Sequence, residues 1–66
     1  MMVKLTEHII ADPEILGGKP VIKGTRISVA FILQLMASGM TVEDILKGYP
    51  YLTKEGVLAA IEYASS

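Results

Sequence analysis

Three times in this chain an apolar residue is followed by a hydroxyl residue and then a helix-forming run: Ile27-Ser28, Met40-Thr41 and Leu52-Thr53. Ser and Thr are strong N-caps, because their hydroxyl oxygens accept from N–H groups that a first helical turn leaves free. Each apolar residue also has an apolar mate five positions on: Ile27 with Ile32, Met40 with Ile45, Leu52 with Val57. That is the spacing of a hydrophobic staple. Thr41-Val42-Glu43-Asp44 adds an acid at the capping-box position. The stops are as plain, with Gly39 after the first run and Gly48 with Pro50 after the second. Three short helices are therefore predicted from residue 28 onward. Their tight turns, the last through Gly48-Tyr49-Pro50-Tyr51-Leu52, suggest a helix-turn-helix arrangement.

The apolar spacing assigns faces. Val42, Ile45, Leu46 and Tyr49 make the buried stripe of the second helix, and Val57, Leu58, Ile61 and Ala64 that of the third. Gly56 and the Ala59-Ala60 pair permit a close helix approach. On the first helix Val29, Ile32, Leu33 and Met36 share a face, with Leu35 at its edge. Phe31 falls off that stripe, near Gln34 and Ser38. An aromatic on the polar side of a helix points to burial against something outside the core.

Residues 1–27 read differently. The first seven look like a frayed lead-in, and His8-Ile9-Ile10-Ala11 has the β-branched character of a short strand. Asp12-Pro13-Glu14 breaks it, Ile15-Leu16 pins the loop to the core, and Gly17-Gly18 supplies a turn. Pro20-Val21-Ile22-Lys23 reads as a second strand, Gly24-Thr25 as a turn and Arg26-Ile27 as a brief return. The expected fold is mainly α: one domain over 1–66, with an extended or β arm over 1–27 and a three-helix bundle over 28–66.

Sixty-six residues bury only about 60% of the surface the unfolded chain exposes, yet 52% of them are hydrophobic and the mean hydropathy is +0.49. The excess is best buried against another chain, which predicts a homodimer or a bound partner. Val21, Ile22, Phe31 and Leu35 are the candidate interface residues. No apolar run approaches the roughly 20 residues of a membrane helix, and the start has no signal-peptide core. A cytoplasmic location is expected, and the absence of cysteine is consistent with it.

No cysteine and one histidine leave no structural zinc set, and no cofactor motif is present. The glycine-rich stretch is not a phosphate loop, because Gly18-Lys19 is followed by Pro20 and Lys23-Gly24-Thr25 runs in the wrong order. His8 lacks a nucleophile at fixed spacing, and Asp12 with Glu14 reads as a turn. A non-enzymatic protein is expected, with no catalytic residues. Charge divides unevenly. Lys4, Lys19, Lys23 and Arg26 against Glu7, Asp12 and Glu14 give residues 1–27 a charge of +1. Lys47 and Lys54 against Glu43, Asp44, Glu55 and Glu62 give the rest −2. The third helix, with its two glutamates, is thus a weak base reader. Lys19, Lys23 and Arg26 are the better candidates for nucleic-acid or anion contact, with the first turn of the first helix nearby.

The segment from Asp12-Pro13-Glu14-Ile15-Leu16-Gly17-Gly18-Lys19-Pro20 through Val21-Ile22-Lys23-Gly24-Thr25-Arg26-Ile27-Ser28-Val29 closely resembles the signature of a bacterial and archaeal family, domain of unknown function 433. Gly39-Met40-Thr41, and Tyr49-Pro50-Tyr51-Leu52-Thr53 leading to Ala59-Ala60-Ile61-Glu62-Tyr63-Ala64, extend the likeness over about residues 5 to 64. The resemblance implies a homeodomain-like three-helix fold behind an N-terminal β segment, often as a dimer. It also implies a VapB-type antitoxin role beside a PIN-like toxic ribonuclease, and it brings no catalytic residues. A helix-turn-helix regulator of its own operon is the alternative.

Overall fold

The computed structural model describes residues 1–66. In order it has strands β1 (Val3–Lys4), β2 (Ile9–Ala11) and β3 (Val21–Ile22), then helices α1 (Val29–Ala37), α2 (Val42–Gly48) and α3 (Lys54–Ser65). A 3-10 turn at Leu16–Gly18 lies between β2 and β3. The three helices start and stop where the caps predicted. Ser28 accepts from Phe31 N–H, Thr41 from Asp44 N–H and Thr53 from Gly56 N–H. The C-terminus of α1 closes through Gly39, with Gly39 N–H donating to the Met36 carbonyl and Met40 N–H to that of Leu35. The chain then turns by 116° into α2.

Helix α2 has only seven residues, too few to persist on propensity. Its start is held from both sides, since Thr41 N–H donates to the Asp44 carboxylate at 3.0 Å and Asp44 N–H to the Thr41 hydroxyl at 3.1 Å. The Thr41 backbone bond first, then the Thr41 hydroxyl and nearby Lys47, hold the Asp44 carboxyl below its ordinary pKa.

In the N-terminal third both expected strands form, as β2 and β3, and one more is added. Residues 1–7 are not simply a lead-in, because Val3 pairs with Ala11 and Lys4 with Ile10 as an antiparallel edge strand. Strand β2 pairs antiparallel with β3, Ile9 with Ile22 and Ile10 with Val21, giving the order β1-β2-β3. This sheet packs on the helices. Helix α3 touches β2, β3, α1 and α2, and so forms the centre of the molecule. The core is Ile9, Ile22, Val29, Ile32, Ile45, Leu52, Val57 and Ala60. Gly56 is where α3 comes closest to the sheet: a Cβ there would stand 3.1 Å from Ile22 Cγ2.

Two helix faces are turned from the expected ones. On α1, Val29 and Ile32 are buried with Leu35 and Met36 half-buried, while Leu33 is exposed. On α3, Gly56, Val57 and Ala60 are buried, whereas Leu58 and Ala64 face out. The runs are apolar on most sides, and the sheet selects which stripe is covered. Leu16, expected to pin its loop, is exposed at φ 51°, and only its neighbour Ile15 is half-buried.

Candidate functional site

The stretch 17–27 is built on local hydrogen bonds. The Asp12 carboxylate accepts from Glu14 N–H at 2.9 Å and the Asp12 carbonyl from Ile15 N–H at 2.8 Å, which makes the turn expected of Asp-Pro. After β3 the chain reverses through residues 22–27. Thr25 N–H and hydroxyl both donate to the Ile22 carbonyl, Ile27 N–H donates to Thr25 Oγ1, and Ile22 N–H to the Ile27 carbonyl. Gly24 sits in this turn at φ 80°, a conformation glycine adopts without the Cβ penalty.

Lys19, Lys23 and Arg26 are all exposed on these turns. The single ion pair of the molecule is Lys4 with Glu7 at 3.6 Å, so none of the three has a carboxylate partner. Lys23 and Arg26 flank one turn, and Lys19 stands before β3. Unpaired, solvated cations on a rigid turn are suited to point contacts with phosphate. The start of α1 adds little to that. Val29 N–H donates to the Pro20 carbonyl, Phe31 N–H to Ser28 Oγ and Ile32 N–H to the Ser28 carbonyl, which leaves only the Ala30 N–H of that turn open to an anion.

The four candidate interface residues separate. Val21 and Ile22 are 0% and 4% exposed: the ribbon folds onto its own helices, and these side chains are inside the chain rather than at a surface. Leu35 is half-buried against the core. Phe31 is half-buried and meets Tyr49 edge-to-face, with centroids 5.9 Å apart. Tyr49 in turn meets Tyr51 at 6.4 Å. The off-stripe aromatic thus has an internal mate, and the row ends in the exposed Tyr51. Besides Tyr51, Leu33 and Leu58 on the helices and Met2, Val3 and Leu5 at the N-terminal edge are exposed. Leu33 and Leu58 were expected on buried faces, and the exposure of Tyr51, Met2, Val3 and Leu5 was not anticipated. The signal for Tyr51 was there in Tyr49-Pro50-Tyr51, a short proline turn that cannot bury both rings.

One groove, of about 340 Å³, runs between the β1–β2 turn and the last turns of α3, lined by Glu7, His8, Glu62 and Tyr63 among others. Of its hydroxyl residues, Thr6 accepts from His8 N–H and Ile9 N–H, serving the turn, and the Ser66 hydroxyl donates to the Tyr63 carbonyl. No three His, Asp or Glu side chains converge as metal ligands. No single helix is long and apolar enough to cross a membrane.

Comparison with known proteins agrees with the residue pattern. The model of the family described as protein of unknown function (DUF433) matches residues 9–64. The chain is 38% identical over 60 residues to the uncharacterized protein y4eO of Sinorhizobium fredii (strain NBRC 101917 / NGR234), a match covering 91% of this chain and 27% of that protein. It is similar to the crystal structure of a DUF433 member protein from Anabaena variabilis ATCC 29413, with a TM-score of 0.84 and 33% identity over 92% of this chain and 60% of that one. The chain therefore spans about a quarter of the curated relative and three-fifths of the solved one.

Proposed function

The chain belongs to the DUF433 family of proteins of unknown function, and from that premise we propose a binding protein rather than an enzyme: an antitoxin-like module that dimerises and holds a PIN-like nuclease partner. The supporting observation is the apolar surface left over. Leu33 and Leu58 stand 40% and 46% exposed on α1 and α3, Tyr51 is 61% exposed between α2 and α3, and Met2, Val3 and Leu5 are open at the sheet edge. Only ten hydrophobic residues are buried in a chain that is 52% hydrophobic. A chain this short covers only about 60% of the surface its unfolded form exposes, and burial against a partner would cover apolar side chains that its own core leaves open.

Co-expression with the product of the adjacent gene, followed by pull-down and a nuclease assay, tests the reading. A stable complex with suppressed nuclease activity is expected. Leu33→Asp with Leu58→Asp should weaken it while leaving the fold intact, because neither side chain belongs to the core. No complex, or a neighbour without a PIN-like domain, overturns the reading.

A second reading is favoured by the unpaired cations: a homeodomain-like helix-turn-helix regulator of its own operon, contacting DNA through Lys19, Lys23 and Arg26. The exposed side of α3 carries Glu55 and Glu62 against Lys54, so phosphate contacts from the turns would dominate. Shift assays on the chain's own promoter at two salt concentrations test it. Lys23→Ala with Arg26→Ala should lower the log–log salt slope by about 2. Absence of any shift at low salt overturns this reading.

A further inference from the structure

The two edges of the sheet are not alike. The outer edge of β3 is closed by the chain itself: Ile22 N–H donates to the Ile27 carbonyl at 2.9 Å, Val29 N–H to the Pro20 carbonyl at 3.0 Å, and Val21 bridges to Ser28. The outer edge of β1 has no such cover. Leu5 N–H donates to the Ile9 carbonyl at 2.9 Å, and Val3 lies opposite Ala11. The alternation of an antiparallel ladder then turns the backbone groups of Val3 and Leu5 toward β2 and those of Met2 and Lys4 toward solvent. Open strand edges are usually guarded by shortness, charge, proline or a bulge, and β1 is short, two residues with Lys4 among them. This one carries Met2 and Val3, 53% and 52% exposed, and its one charge, Lys4, is held beside Glu7 at 3.6 Å.

We propose that the β1 edge pairs antiparallel with the β1 edge of a second copy of this chain, joining two three-stranded sheets into one of six strands. The residues select both the occupant and the register. With the two-fold axis at Val3, each Lys4 exchanges backbone hydrogen bonds with Met2 of the other copy, and the two valines face each other as a close, non-hydrogen-bonded pair. β-Branched side chains opposite one another stabilise such a pair. A shift that centres the axis on Lys4 would set two ammonium groups directly opposite, which destabilises it. The edge is therefore self-complementary with the axis at Val3, and not with the axis at Lys4. This deepens the reading above by placing the dimer contact, and it leaves Leu33, Tyr51 and Leu58 free for another protein.

The experiment is analytical ultracentrifugation of the full chain over a range of concentrations, with circular dichroism to check folding. The wild type should dimerise. Val3→Glu and Val3→Lys should each be monomeric and folded, since like charges then meet on the axis, and their equimolar mixture should dimerise again. Lys4→Pro removes an outward N–H and none of the β1–β2 bonds, so it should raise the dimer Kd about tenfold or more while keeping the helical signal. A wild type that stays monomeric at several hundred micromolar overturns the proposal, as it would if the edge served only another protein's strand. So does a dimer that ignores all three substitutions. Pull-down of the adjacent gene product with the Val3→Glu chain reads partner binding separately.

Discussion

Gly24 and Gly56 show two separate reasons for a glycine. At Gly24 the backbone lies at φ 80° with nothing within 4 Å of a Cβ position, so a larger residue there meets strain and no clash. Gly24→Val should cost about 1 kcal/mol or more, seen as a fall of roughly 4–8 °C in Tm per kcal/mol, and Gly24→Asn less, since Asn tolerates this region. Gly56 is the reverse case, with ordinary backbone and too little room, its Cβ position 3.1 Å from Ile22 Cγ2 and 3.2 Å from Thr53 Oγ1. Alanine would gain about 1 kcal/mol of helix propensity against about 1–3 kcal/mol of overpacking. Gly56→Ala should therefore be destabilising by about 1 kcal/mol in chemical denaturation. Asp44 contributes a pH dependence. Its folded pKa is lowered from 3.8, so its contribution is present above that value and fades as pH falls through the lowered one. Melting curves of wild type and Asp44→Asn should differ most near neutrality and converge at acid pH.

At the scale of elements, the helices were legible because each is bounded by local chemistry. A hydroxyl cap, a staple and a glycine or proline stop act within a few residues, and helix start and end need no distant contact. Ser28 adds burial to capping, at 9% exposure with Phe31 N–H at 2.9 Å. Ser28→Ala should thus cost more than Thr41→Ala, up to about 2 against about 1 kcal/mol, because solvent can replace the exposed Thr41 hydroxyl. What local chemistry did not reveal is where each element is covered. Val21 and Ile22 look like a sticky arm until the ribbon folds onto α3. Strand β1 is invisible in Met1-Met2-Val3-Lys4-Leu5 because only its pairing with Ile10 and Ala11 makes it a strand. On α1, Leu33 and Met36 differ by three positions on a run apolar nearly all round, and tertiary contact alone chooses between them. The cations were legible as candidates, since chemistry belongs to the residue; that none of them is paired belongs to the fold.

For the whole molecule, stability is scarce. At roughly 0.05–0.15 kcal/mol per residue, a chain of 66 residues holds roughly 3–10 kcal/mol. Ile32 is fully buried, and Ile32→Ala removes about 2–5 kcal/mol of this. The variant should melt at a lower temperature, and under the dimer proposed above its Tm should rise with concentration by mass action. A Tm that does not move with concentration would refute that coupling. The hydrogen bonds by which residues 27–29 seal the outer edge of β3 have a consequence for assembly as well. A sheet with two sticky sides can add strands without limit and grow into a fibre. This one has a single sticky side, so two copies meeting across it use up every open edge they possess, and polymerisation stops at its first step.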